Sequence, residues 1–180
     1  MNAKTKVTAA IAALLWLPLA RAEVPLITLL PEAPVRQEGP AISFSIPKYA
    51  LSDDEREIIA ACLVLEAASQ GERGMRGVMA VIRNRAHGEP VLFTPVVLQE
   101  KQFSALNKLT AGRESLWRIV HRAQKDRMWS TALEIVDEAT EDDWRDPTRG
   151  ATHYTRTGER TPWTRTLAQT VTIGRHAFYR

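Results

Sequence analysis

This sequence predicts an α+β fold, mainly α, with helices first and a small antiparallel β element near the C-terminus. Three observations carry that reading. Apolar residues recur at three- and four-residue spacings from about Leu51 to Ala139, the pattern of helices with a buried stripe. From Gly150 the pattern changes: 151–156 and 169–173 are rich in β-branched and aromatic residues, the composition of strands. And one carboxylate, Glu66, falls on the apolar stripe of the first helix.

The chain of 180 residues fits one domain with extensions. Residues 1–22 read as a secretory signal peptide, with Lys4 and Lys6 as the basic start, an apolar run from Val7 to Ala20, and Ala20-Arg21-Ala22 as a small-residue cleavage site. The apolar run is shorter than the roughly 20 residues a membrane helix needs, so no stable membrane span is expected once the signal is removed; an uncleaved, weakly inserted anchor is the alternative. The implied location is the periplasm or cell wall. Residues 23–50 hold five prolines, whose spacing forbids a helix and favours an extended segment. The folded domain is expected over 51–180.

Net charge is +3, but removing residues 1–22 leaves 21 bases against 21 acids. A neutral domain argues against a nucleic-acid binder working through bulk positive charge. Cys62 is the only cysteine, so no internal disulfide exists, and its place on the apolar stripe predicts a buried thiol.

The first helix should open at Ser52, an N-cap with Glu55 three residues on and Asp53 and Asp54 at the positive end of the dipole. Gln70 to Gly74 predicts a turn, and Met75 to Ala86 a second helix stopped by His87-Gly88-Glu89-Pro90. Thr94-Pro95 predicts the opening of a short helix running to about Glu100, with Gln102-Phe103-Ser104 in a loop beyond it. Leu116 to Gln124 and Trp129 to Ala139 complete the helices, with Trp117, Trp129 and Trp144 as packing residues. The acidic run from Glu138 to Asp146 is expected to be a solvated helix end.

Glu66 follows Ile59, Cys62 and Leu63 by seven, four and three residues, so it shares their face. An ionised carboxylate on such a face is costly, and it either keeps its proton or finds a partner. A carboxyl that holds a proton near neutral pH is what general acid catalysis needs. The pattern alone also allows a frayed helix end facing solvent, or a pair with Arg83 or Arg85.

The motifs Leu65-Glu66-Ala67-Ala68, Gly71-Glu72-Arg73-Gly74-Met75, Val81-Ile82-Arg83-Asn84-Arg85 and Gln102-Phe103-Ser104 occur in order. They are followed by Asp146-Pro147-Thr148, Gly150-Ala151-Thr152-His153-Tyr154, Pro162-Trp163 and Ile173-Gly174-Arg175-His176-Ala177-Phe178-Tyr179. Together they resemble the SleB-type cell wall hydrolases, the catalytic domains related to spore cortex-lytic enzymes. Two positions depart from the pattern: Ala68-Ser69-Gln70 lengthens the gap before Gly71-Glu72, and Thr155 stands where relatives often carry His.

The resemblance implies a lysozyme-like helical domain and peptidoglycan glycan strands as the partner. It implies Glu66 as the catalytic acid for the MurNAc-GlcNAc β-1,4 bond, in a lytic transglycosylase that leaves a 1,6-anhydro product. A water-using muramidase with Glu72 as second carboxylate, or a non-catalytic peptidoglycan-binding protein, are the alternatives. For an inverting hydrolase the two carboxyls should stand about 6.5–9.5 Å apart. Gln102 and Ser104 are candidates to hydrogen-bond sugar groups. Phe103, Tyr154 and Trp163 are candidate flat surfaces for sugar rings, although aromatics are more often core. His153 joins them as a candidate, and pairing strands would let it face His176. No three- or four-ligand spacing for a metal is present, so no metal or other cofactor is expected. A monomer is expected.

Overall fold

The computed structural model describes residues 49–180 apart from residue 111. The predicted signal peptide, 1–22, and all but the last two residues of the proline-rich segment, 23–50, lie outside the described residues.

Helix α1 (Asp53–Ala67) starts where the sequence predicts. Ser52 accepts from the Glu55 amide while the Glu55 carboxylate accepts from the Ser52 amide at 2.9 Å, a reciprocal cap. Every residue from Ile58 to Val64 is buried, so α1 is apolar around its circumference over those two turns. It is the central helix, and later helices pack on it from several sides. Full burial of a Leu or Ile contributes about 1.5–3 kcal/mol, so α1 anchors the core.

After α1 the chain turns through a 3-10 segment, Ala68–Gln70, into α2 (Gly71–Arg85). The sequence pattern predicts a break at 70–74 and a helix start at Met75; both need correction. Gly71, at φ 68°, makes the corner in one residue, which leaves 72–74 free to be helical. Glu72 therefore lies in the first helical turn, where an acid suits the dipole, and pairs with Arg76 one turn on. At the far end His87 and Gly88 take positive φ and reverse the chain.

Helix α3 (Phe93–Leu98) also starts earlier than Thr94-Pro95 predicts. A 3-10 turn over Pro90–Leu92 leads into it, so Pro90 opens the helical run. Pro95 sits at the third position of α3. A second 3-10 turn, Ser104–Leu106, runs into α4 (Asn107–Thr110). Helices α5 (Leu116–Ala123) and α6 (Trp129–Glu138) match the sequence reading, and both pack on α1. Trp117 is not a packing residue: it is 49% exposed on α5.

The three strands are β1 (His153–Arg156), β2 (Gln169–Ile173) and β3 (His176–Tyr179). They form an antiparallel sheet in the order β1-β3-β2. Gly174, at φ 58°, turns β2 into β3, and a side chain there would collide with Gln70, whose Oε1 accepts from the Arg175 amide at 2.7 Å. The sheet meets α2 through Phe178, which lies against Gly77 with no room for a methyl group.

The acidic run is not wholly solvated. Asp146 Oδ1 accepts from the Thr148 amide and hydroxyl, both at 2.6 Å, and Oδ2 from Asn84 at 3.0 Å and Gly150 at 2.6 Å. Burial alone would raise this carboxyl, but the donors outweigh it and hold it below its ordinary value. Asp146 thereby pins the segment leading into β1 onto α2.

Candidate active site

Glu66 stands in the last turn of α1, half-buried, just before Ala67 leaves helical geometry. Its carboxylate is held at both oxygens. Oε1 accepts from the Ser104 hydroxyl at 2.9 Å and the Ala105 amide at 2.7 Å; Oε2 accepts from the Tyr154 hydroxyl at 3.0 Å. The structure gives this carboxyl group hydrogen-bonding partners. They are neither Arg83 nor Arg85. Arg83 donates to the Ala139 carbonyl at 3.2 Å, and Arg85 to the Thr152 carbonyl at 2.7 Å.

The three donors come from two places. Ser104 and Ala105 open a 3-10 turn, and the amides of a helical first turn have no partner within it. Such amides suit a carboxylate. Tyr154 comes from β1, with its ring between His176 at 5.0 Å, Phe178 at 5.8 Å and Phe103 at 6.5 Å, centroid to centroid. Burial, and then the charge of Glu66, push the Tyr154 hydroxyl well above its ordinary range, so it stays a neutral donor. One turn back on α1, Cys62 is fully buried, and burial first and Glu66 second push its thiol up as well. It is an inert thiol.

Arg85 lies behind this cluster. Its guanidinium sits 5.5 Å over the Phe103 ring, and its Nη1 is buried without a hydrogen-bond partner. Burial lowers its proton affinity.

The other sequence candidates divide. Ser104 belongs to the cluster, as a donor to Glu66 itself. Phe103 is 1% exposed and offers no face to a sugar; it is the wall behind Tyr154. Gln102 is half-buried at the bend just before it. His153 and Trp163 pack on each other at 5.2 Å, and Trp163 also meets Tyr179 edge-on at 5.4 Å. His153 and His176 do not face each other: the register sets His153 opposite Tyr179 and His176 opposite Arg156. Burial depresses both imidazoles.

Glu72 is turned to other partners. Arg76 binds it at 2.8 Å and reaches Glu138 on α6 at 2.7 Å. The structure brings Ser104 and Tyr154 to Glu66, and leaves Glu72 in that surface network.

One contributor escapes a reading of residue types. The Ala105 amide is backbone, and only the turn geometry aims it. His176 reaches Tyr154 because β3 takes the centre of the sheet; its Nδ1 is buried without a partner. Among the described residues no group of three His, Cys, Asp or Glu could hold a metal ion. Among them, too, no helix is long and apolar enough to cross a membrane.

The fold, a helical core with a small C-terminal sheet, is that of a class of enzymes that act on cell walls. The chain belongs to the cell wall hydrolase family, whose model matches residues 69–179. Glu66 lies just ahead of the matched span. Two solved structures share the fold. The catalytic domain of the germination-specific lytic transglycosylase SleB from Bacillus anthracis is 24% identical; the match covers 73% of this chain and 98% of that one, with a TM-score of 0.54. The catalytic domain of the Bacillus cereus SleB protein is 23% identical, covering 77% of this chain and 100% of that one, with a TM-score of 0.56. Among curated protein sequences none matches this chain.

Proposed function

We propose that this cell wall hydrolase is an exported lytic transglycosylase acting on peptidoglycan, with Glu66 as its single acid and base. The observation that supports it best is the grip on the Glu66 carboxylate. Oε1 has both lone pairs engaged by Ser104 and Ala105, whereas Oε2 meets only Tyr154. Oε2 is therefore the oxygen left to carry and exchange a proton.

The reaction needs no second carboxylate. Glu66 gives its Oε2 proton to the departing GlcNAc O4 as the C1–O4 bond of MurNAc breaks. The sugar passes through an oxocarbenium-like state. The carboxylate then takes the proton from the muramic 6-hydroxyl, and O6 bonds to C1. The product is a 1,6-anhydro ring, and Glu66 ends protonated, ready for the next linkage. Tyr154 and Ser104 hold the carboxylate in one orientation through both proton transfers. A water-using route through Glu72 has less support, since Arg76 holds that carboxylate.

The test is digestion of purified sacculi with mass spectrometry of the muropeptides. Wild type should release 1,6-anhydro products, and Glu66→Gln should lower the rate by about 10²–10⁴-fold, the usual worth of a general acid or base. Reducing-end muramic acid as the product would replace this reading with hydrolysis. Full activity in Glu66→Gln would end the assignment.

A further inference from the structure

Arg85 takes no part in the bond-breaking chemistry, yet its guanidinium sits in a place that stability alone does not explain. It is the last residue of α2 and is half-buried. Its Nη1 is buried without a hydrogen-bond partner, and among the described residues no carboxylate forms a salt bridge with it. Burying a cation without an acid is unfavourable, and an orphaned buried donor adds to the penalty. An apolar side chain at this position would carry neither.

Its contacts show what the guanidinium holds together. Nε donates to the Thr152 carbonyl at 2.7 Å, two residues before Tyr154. The guanidinium lies 5.5 Å over the ring of Phe103, the residue before Ser104. One side chain therefore touches both segments that supply donors to Glu66. The turn with Ser104 and Ala105 engages Oε1, and β1 with Tyr154 engages Oε2. Those segments also meet through the Phe103 and Tyr154 rings, a looser contact with centroids 6.5 Å apart. Asn84, one residue back, holds the Ala151 carbonyl at 2.9 Å, so the end of α2 grips the approach to β1 at two consecutive carbonyls. Arg85 extends that grip to the Ser104 side. Its charge acts on Tyr154 as well: burial and then Glu66 push the hydroxyl up, and Arg85 pulls the other way, which makes it a stronger donor.

We infer that Arg85 is a positioning residue that sets the gap between the two arms of the Glu66 cradle, so that both carboxyl oxygens are gripped at once. The inference rests on the proposed action at Glu66. Arg85 works through Tyr154 and Ser104, not on the substrate. When the gap widens, Tyr154 moves off Oε2 and the carboxyl group turns out of line. Both proton transfers then slow, while the hold on the glycan is unchanged.

The experiment measures kcat and KM separately on purified sacculi with the full-length protein, each rate taken per folded molecule, alongside melting temperature. Arg85→Met should lower kcat about tenfold, the effect of losing one hydrogen bond from a charged group, with KM little changed. Its melting temperature should stay near wild type, because the orphaned Nη1 leaves together with the bond to Thr152. Arg85→Lys keeps the charge, but an ammonium lacks the planar fork that serves a carbonyl and a ring together, so it should restore only part of the rate. Tyr154→Phe already frees Oε2, so adding Arg85→Met to it should slow the enzyme far less than Arg85→Met does alone. A wild-type kcat in Arg85→Met overturns the inference and leaves Glu66 in place. A lower melting temperature with the two rate losses multiplying in full overturns it in favour of an ordinary fold contact. A raised KM with kcat unchanged overturns it by putting Arg85 on the substrate. No cleavage by any of the proteins, wild type included, removes the proposed function, and this inference with it.

Discussion

Tyr154 donates its hydroxyl to Glu66 Oε2 across 3.0 Å, tying the first strand to the central helix over 88 residues of chain. Tyr154→Phe removes that one bond and keeps the ring packed against His176 and Phe178. A hydrogen bond to a charged group contributes about 1.5–3 kcal/mol, so kcat should fall about 10- to 100-fold with KM little changed. Melting temperature should stay near wild type. A normal kcat in Tyr154→Phe would show that Glu66 needs no support from the sheet.

The contact of Gly77 with Phe178 is the seam between α2 and the sheet. A Cβ at position 77 would stand 2.6 Å from Phe178 Cζ, closer than real side chains approach. Gly77→Ala should destabilise the domain by about 1–3 kcal/mol through overpacking, despite Ala's better helix propensity. Phe178→Leu in the same chain should recover part of that loss. Denaturant titration of both single variants and the double variant measures the coupling; strict additivity would mean that the two residues do not crowd each other.

Much of this architecture is legible in residue order, and the reasons differ by element. The Ser52–Glu55 cap and the unbroken apolar run after it announce α1 because both signals are local. The start of α2 is misread because glycines at 71 and 74 look like a turn, yet only Gly71 needs positive φ. Glu66 stands out as a polar residue on an apolar face, which periodicity can find. Its partners are set by tertiary placement: Ser104 and Tyr154 lie within recognisable motifs, but the Ala105 amide has no letter of its own. Trp117, expected to pack, is exposed because single-residue hydrophobicity does not say which face of a short helix meets the core.

Asp146 should matter to the fold more than its place in an acidic run suggests. It accepts four hydrogen bonds, two of them from Thr148, which is fully buried. Asp146→Ala leaves those donors unmatched, at a cost of about 1–3 kcal/mol for buried groups. The loss should appear in denaturant midpoint, and backbone amides of 148–151 should exchange faster in deuterium. A variant as stable as wild type would reduce Asp146 to a surface acid.

Acid should weaken the domain in two stages. His153 and His176 are both depressed, chiefly by burial; Arg85 adds to the first, while for His176 the opposing pull of Glu66 is followed by Arg156 and Arg175 in the depressing direction. A depressed imidazole means that the unfolded chain binds more protons than the folded one just below the ordinary value of about 6.5. Their contribution is therefore complete above about pH 6.5 and is lost as pH falls through the folded-state values. Asp146 follows the same sign lower down: its contribution is intact above the ordinary carboxyl value of 3.8 and is lost as pH falls through its depressed value. Unfolding midpoints measured from about pH 8 to about pH 3 should show both declines. His176→Phe, which keeps an aromatic ring beside Tyr154 and removes the titration, should flatten the upper decline and leave the lower one. An upper slope unchanged by that substitution would mean that protonating His176 costs the folded state nothing.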